Sequence, residues 1–306
     1  MKFIKMQGLG NDYVYVDCLK GGNDVKDGND DDNCTYVLAE PSKTAAALSD
    51  RHFGIGSDGL VLILPSTAAD FRMRMFNPDG TEAEMCGNAI RCVGKYLYDN
   101  RIAPGGNISI ETGAGIKKLV ITEKGGLAEM VTVDMGMPEL RPCAIPVADD
   151  GQDFIARQVR TAGYEGPLTA VSMGNPHAVI YVDSVDTADI AGIGPEIEKH
   201  RLFPRKTNVE FVSIAAQNHL IMRVWERGTG ETMACGTGAC AALVSSVLNG
   251  FCGRAATVTL PGGDLYVEWK ESDGRVYMTG PAVKVFEGEA DFRDLVKKYH
   301  KGVGRS

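Results

Sequence analysis

Two turns in this chain are built alike. Residues 85–90 read MCGNAI and residues 234–239 read ACGTGA. Superposing Cys86 on Cys235 without gaps, at an offset of 149 residues, also brings Met73 onto Met222, Arg74 onto Arg223 and Glu82 onto Glu231. Gly87 then meets Gly236, Phe76 meets Trp225 and Asn77 meets Glu226. Farther upstream, GNDYVYVD (10–17) matches GNPHAVIYVD (174–183) with a two-residue gap. The shared order of Gly-Asn strand, Met-Arg strand and Cys-Gly helix marks an internal duplication. Whatever the first half folds into, the second half folds into as well. The chain therefore reads as two homologous halves joined near residues 125–135, with about the last 25 residues returning to one of them.

Periodicity supplies the elements between these anchors. Helices are predicted over 42–51 and 87–98, with GLVLILP as a buried strand and DFRMRMFN as a half-buried one. Short strands follow between residues 108 and 135. In the second half HAVIYVD, NVEFVSI and LIMRVWER read as strands, and GPEIEKHRLFP reads as a helix with Pro195 in its first turn. GTGACAALVSSVLNG reads as a helix closed by Gly250, before the strands ATVTL, DLYVEW and VYMTG. The stretch LKGGNDVKDGNDDDNCTYV lacks any apolar period and reads as an exposed acidic loop without calcium-loop spacing.

Composition narrows the function. The 306 residues allow two domains with proper cores, and 44% hydrophobic with 24% charged residues is ordinary for a globular protein. The net charge is −8 with no Lys/Arg block, which argues against nucleic acid as a partner. No apolar run approaches the ~18 residues of a membrane span, and the start lacks a signal-peptide core, so a cytoplasmic location is expected. Of eight cysteines, Cys18, Cys34, Cys143 and Cys252 are expected as free thiols in the core, and Cys92 and Cys240 as packing residues inside helices. C-x5-C and C-x4-C with a helical second Cys are poor zinc chelates, so no metal is expected.

A Cys just ahead of a helix meets free N–H groups and the positive end of the helix dipole, which lowers a thiol's pKa toward neutrality. The following Gly lets the backbone approach a ligand. One thiolate and one thiol on opposite faces of a carbon invert a stereocentre: one removes a proton and the other returns one. No cofactor is needed if N–H groups stabilise the developing charge. GIGSDG (54–59) precedes a strand rather than opening a helix, so it reads as a tight loop near the site and not as a dinucleotide fingerprint. His177 stands on a Gly-Asn-Pro turn equivalent to the N-terminal Gly-Asn turn, which makes it a site candidate. Glu226 and Arg227 read either as a surface pair or as a clamp for an ammonium and a carboxylate.

Taken together, GLGNDYVYVD, FGIGSDG, FNPDGTEAEMCGNAIRC, GNPHAV, TNVEF and WERGTGETMACGTGA resemble the diaminopimelate epimerase family, over nearly the whole chain and in the family's order. The resemblance implies an α+β fold of two pseudo-symmetric halves, each a curved, mostly antiparallel sheet wrapped around a central helix, with the active site in the interdomain cleft. It implies halves spanning 1–131 plus 284–306 and 132–283. It implies a pyridoxal-independent isomerase of lysine biosynthesis, without cofactor, that interconverts LL- and meso-diaminopimelate and works as a homodimer. Cys86 and Cys235 match the proton donor and acceptor in one direction, with roles exchanged in reverse, and His177 and Glu226 match positions important for catalysis. Asn11, Asn77, Asn175, Asn208, Glu226 and Arg227 match substrate contacts, and Gly87, Asn88, Gly236 and Thr237 match the helix-start donors. The chain departs at Gly59, where many members carry a side-chain amide, and in a longer acidic insertion at 21–34. Proline racemases and hydroxyproline epimerases, which share the cysteine pair, typically have His where this chain has Asn88.

Overall fold

The computed structural model describes residues 1–19 and 31–303. Most of the acidic insertion lies outside them. Contacts divide the chain into Met1–Val131 with Pro281–Ser306 and Thr132–Gly280, here unit 1 and unit 2.

Unit 1 opens with β1 (Lys2–Gly8), β2 (Asn11–Asp17), α1 (Asp31–Ala39) and α2 (Pro41–Ser49). It continues with β3 (Leu60–Leu64), β4 (Phe71–Phe76), β5 (Glu82–Ala83), α3 (Gly87–Asp99), β6 (Asn107–Thr112) and β7 (Gly115–Lys124). β8 (Leu127–Gly136) carries the chain into unit 2. There follow β9 (Arg157–Arg160), β10 (Glu165–Ser172), β11 (Pro176–Tyr181), α4 (Ile190–Glu198), β12 (Asn208–Ala216), β13 (His219–Glu226) and β14 (Gly230–Thr232). Unit 2 closes with α5 (Gly236–Leu248), β15 (Ala255–Leu260), β16 (Gly263–Trp269) and β17 (Val276–Gly280). β18 (Val283–Glu289) and α6 (Phe292–Val303) belong to unit 1.

The duplication is visible in the pairing. In unit 1, β1 and β2 are antiparallel, β2 and β3 parallel, β3 and β4 antiparallel, β4 and β6 parallel, and β6 and β7 antiparallel. Unit 2 repeats this order with β10, β11, β12, β13, β15 and β16. The register repeats too. Leu60 faces Val14 and Phe76, and Val209, at the same offset of 149, faces Ala178 and Trp225.

Each sheet holds a helix for a reason visible in the residues. α5 is buried along nearly its whole length, and a helix that is apolar all round belongs in a core. It packs against β10, β11, β12, β13, β15, β16 and β17, so the sheet wraps it. α3 plays the same part against β1, β2, β7 and β18. A second core lies under α1, α2 and α6 in unit 1, where Val14, Leu60, Leu62 and Phe292 meet. Its counterpart in unit 2 joins Ile190, Ile197 and Phe203 to Ala178, Val209 and Phe211.

Several expectations need correction. The end of the supposed acidic loop is helical from Asp31. The second-half helix begins at Ile190, capped by Asp189, whose carboxylate accepts from Gly192 N at 2.9 Å, so Pro195 lies inside it rather than in its first turn. Cys18 and Cys34 are not free thiols. They form a disulfide with Cα atoms 5.8 Å apart, because α1 returns beside the end of β2. Cys143 is exposed and Cys252 half-exposed, since both sit on turns outside the sheets. Cys92 and Cys240 are fully buried packing residues, as the helical spacing implied.

Candidate active site

In unit 1, Cys86 is the residue that caps α3. Its extended backbone (φ −136°, ψ 126°) leaves the N–H groups of Gly87 and Asn88 at the helix start. β2 begins at Asn11, whose side-chain oxygen lies 3.4 Å from Cys86 Sγ and 3.4 Å from Asn88 Nδ2. The Asn11 amide nitrogen donates to Asp58 Oδ2 at 2.9 Å, and this fixes which end of the amide faces the sulfur. Asp58 is held in turn by Arg51 at 2.8 Å. Behind it the buried Lys5 pairs with Asp12 and reaches Gly56 O. The glycine loop thus serves the Asn11 turn. Asn88 is also fixed from below, where the fully buried Arg91 donates to its side-chain oxygen at 2.9 Å.

Asn77 is held by its own turn. Its amide donates to Thr81 Oγ1 at 3.0 Å in the turn after β4. Gly59 offers no side-chain contact, and the reason is steric. A Cβ there would lie 2.2 Å from Phe76 O and 2.8 Å from the Tyr13 ring. The Tyr13 ring occupies the space a side chain at 59 would need. Its hydroxyl is a hydrogen-bond neighbour of Asn11 and Cys86, and burial together with Cys86 raises the phenol well above its ordinary value.

In unit 2, Cys235 caps α5 in the same extended conformation (φ −121°, ψ 110°) and accepts from Gly238 N at 3.4 Å. The Thr237 hydroxyl lies 3.5 Å from the sulfur, and Gly236 is buried at the helix start. Asn175, in the turn before β11, places its side-chain oxygen 3.0 Å from His177 Nε2. His177 Nδ1 is 2.7 Å from Glu210 Oε1. Asn208 begins β12 and ties the start of β11 to the turn after β13: it donates to Pro176 O at 3.0 Å and accepts from Arg227 N at 2.9 Å. The Arg227 side chain is exposed, with Nη1 3.3 Å from Arg205 O. Glu226, at the end of β13, accepts from the Thr232 hydroxyl. Glu226 and Arg227 do not pair with each other through any of these bonds.

The thiol of Cys235 corrects one expectation. The helix start alone would lower its pKa. Instead burial first, and then the charges of Glu226 and Glu210, push it well above the ordinary thiol range. The N–H of Gly238 and the Thr237 hydroxyl oppose this and lose.

Sequence reasoning missed Tyr13, Asp58 and Glu210. Glu210 carried a usable signal, since a carboxylate at an inward position of the apolar strand NVEFV needs a buried partner.

The sequence profile of the diaminopimelate epimerase family matches residues 3–141 and 169–285. The chain belongs to this family. Among relatives, the diaminopimelate epimerase of Acetivibrio thermocellus is 56% identical over 295 residues, covering 96% of this chain and 100% of the relative. That of Methanococcus maripaludis is 55% identical over 291 residues, covering 95% and 100%. Among solved structures, a hydroxyproline epimerase from Agrobacterium vitis superposes with a TM-score of 0.65 at 16% identity, covering 95% of this chain and 90% of that one. A PhzF-family phenazine biosynthesis protein from Bacillus anthracis gives 0.64 at 17% identity, covering 95% and 99%. These two share the fold of two mixed-sheet halves with helices.

Proposed function

We propose that the chain interconverts LL- and meso-diaminopimelate by a two-base transfer between Cys86 and Cys235. Family membership carries the activity, an isomerase step of lysine biosynthesis. The observation that carries the mechanism is the duplicated helix-start cysteine, each capping a 13-residue helix with Gly as the first helical residue. The thiolate of one cysteine takes the α-proton, and the thiol of the other delivers its proton to the opposite face. The electron pair left on the α-carbon spreads into the α-carboxylate, where the N–H groups of Gly87, Asn88, Gly236 and Thr237 would stabilise it. In the reverse direction the cysteines exchange roles. The proposal requires the two sulfurs to reach opposite faces of one carbon.

The remaining residues have supporting parts in this reading. Asn11, Asn77, Asn175 and Asn208 would orient the substrate, with Glu226 and Arg227 reading its ammonium and carboxylate ends. His177 and Glu226 would tune the thiols. Neither cofactor nor metal enters the scheme. We place the enzyme in the cytoplasm; among the described residues no helix is long and apolar enough to cross a membrane. We also propose a homodimer, supported by exposed Val283, Val285 and Phe286 on β18.

The test is solvent exchange in heavy water. Diaminopimelate should gain deuterium at its α-carbon, and proline should not. Exchange into proline alone would move the chain to the proline-racemase reading, and exchange into neither would make it a binding protein.

A further inference from the structure

Glu210 has no part in the transfer scheme, yet it is fully buried within unit 2. Its Oε1 is 2.7 Å from His177 Nδ1, and its Oε2 has no hydrogen-bond partner. Asn175 faces the other ring nitrogen, Nε2, at 3.0 Å. The imidazole is thus held at both ends, with Nδ1 toward the carboxylate of Glu210.

Glu210 also reaches toward Cys235. A Cβ on Gly238 would stand 2.8 Å from Glu210 Oε1 and 3.2 Å from Cys235 Sγ, which puts these two atoms at most 6.0 Å apart. The groups facing the sulfur are Thr237 and the N–H of Gly238 from α5, Glu210 from β12 and Glu226 from β13, with His177 on β11 behind Glu210.

The duplication supplies a control within the same chain. At the offset of 149, Glu210 corresponds to Val61 and Gly238 to Ala89. Both unit 1 residues are fully buried and apolar. Unit 2 has exchanged the two positions together: the strand carries a carboxylate, and the helix has lost the methyl that would collide with it. A buried carboxylate is costly, and here a hydrogen-bonded imidazole offsets that cost.

We propose that Glu210 is a positioning residue that fixes the His177 ring and presents negative charge to Cys235, so that this sulfur keeps its proton in the resting enzyme. The inference rests on the reading of Cys235 as a proton-transfer group. The upward push on the Cys235 thiol, from burial, Glu226 and Glu210, agrees with it.

The test is Glu210→Gln, with the pH dependence of iodoacetamide alkylation followed at Cys235 by peptide mass spectrometry. The Cys86 peptide serves as internal reference. The half-alkylation pH of Cys235 should fall by about half a unit or more, about a threefold gain in thiolate, while that of Cys86 stays in place. In turnover, kcat should fall more than KM rises, because Glu210 does not touch substrate in this scheme. A smaller fall at Cys235, an equal shift at both cysteines, or a KM effect exceeding the kcat effect would overturn the inference. Should Glu210→Gln not fold, the double change Glu210→Val with Gly238→Ala copies the unit 1 pair into unit 2 and should give the same fall at Cys235. The alkylation readout does not depend on turnover. An active Cys235→Ser enzyme would sink the proton-transfer reading, whereas an unmoved Cys235 in Glu210→Gln would sink this inference alone.

Discussion

Cys86 and Cys235 cap equivalent helices with nearly the same backbone, yet their surroundings differ in charge. The Cys86 thiol is half-buried and faced by an amide oxygen and a phenol, Asn11 and Tyr13. The Cys235 thiol is buried, touched by a helix N–H, and faced by the carboxylates of Glu210 and Glu226. At the positions of those carboxylates unit 1 has Val61 and Asn77. Duplication kept the strand register and the helix start, which backbone hydrogen bonds set. The side chains around the sulfur then diverged. In a transfer in which one sulfur starts with a proton and the other without, such inequality biases which sulfur holds it.

The largest effects test whether both turns act. Cys86→Ser and Cys235→Ser should each lower kcat at least about a thousandfold while the circular dichroism spectrum stays that of the parent, because serine is far too weak an acid to share the transfer. If either variant retained activity within about tenfold, some 1.4 kcal/mol of barrier, the comparison would describe one working turn and one structural relic.

The backbone of this comparison was legible in the sequence, and the charge difference was not. The offset of 149 aligns Cys86 with Cys235 and Phe76 with Trp225, and the register pairs the last two with Leu60 and Val209. Local signals were enough for this, since a Cys-Gly helix start and a Gly-Asn turn are set by neighbouring residues. What escaped depends on contacts between distant segments. Nothing near Glu210 names His177, which lies 33 residues earlier on the neighbouring strand. The Cys18–Cys34 bridge escaped because it depends on α1 returning to β2 across the acidic insertion. The amphipathic helix α6 escaped because its buried residues, Phe292 and Val296, are sparse in a charged segment.

A second test concerns the points where the chain leaves β4 and β13, where Asn77-Pro78 corresponds to Glu226-Arg227. Only unit 2 offers a guanidinium there, with its backbone N–H pinned by Asn208. Lys cannot reproduce bidentate carboxylate binding. Arg227→Lys should therefore lower kcat/KM for diaminopimelate by about tenfold or more, through both KM and kcat, since distal binding positions the reacting carbon. Near-parental kinetics would leave Arg227 an ordinary exposed residue, and the two points would differ without consequence.

Reciprocal helix changes sharpen the contrast in packing. Gly238→Ala forces a methyl against Glu210 and Cys235 and should cost about 1–3 kcal/mol of stability. Ala89→Gly, the mirror change in unit 1, should cost about 1 kcal/mol through helix propensity and lost burial. Thermal melts that ranked Ala89→Gly as the more damaging would show that Gly238 is not vacated for Glu210.

The smallest expected effect lies at the counterpart of His177. The turns Gly10-Asn11-Asp12-Tyr13 and Gly174-Asn175-Pro176-His177 align, so Tyr13 stands where unit 2 has its imidazole. Register supports the match, since Tyr13 precedes Val14, the partner of Leu60, as His177 precedes Ala178, the partner of Val209. The ring does a packing job against Gly59, which Phe would preserve. The hydroxyl does a polar one. Burial and the neighbouring Cys86 keep it protonated, so it remains a donor wherever the enzyme works. A donor beside a sulfur favours thiolate, the opposite of what Glu210 and Glu226 do to Cys235. Tyr13→Phe should therefore raise the pH of half-alkylation at Cys86, with no change at Cys235, and should lower kcat by less than about tenfold, the scale of one hydrogen bond to a charged group. Alkylation of the two cysteines in one sample reads both halves at once. An unmoved Cys86 would confine Tyr13 to packing and leave the inequality of the two thiols to the carboxylates of unit 2.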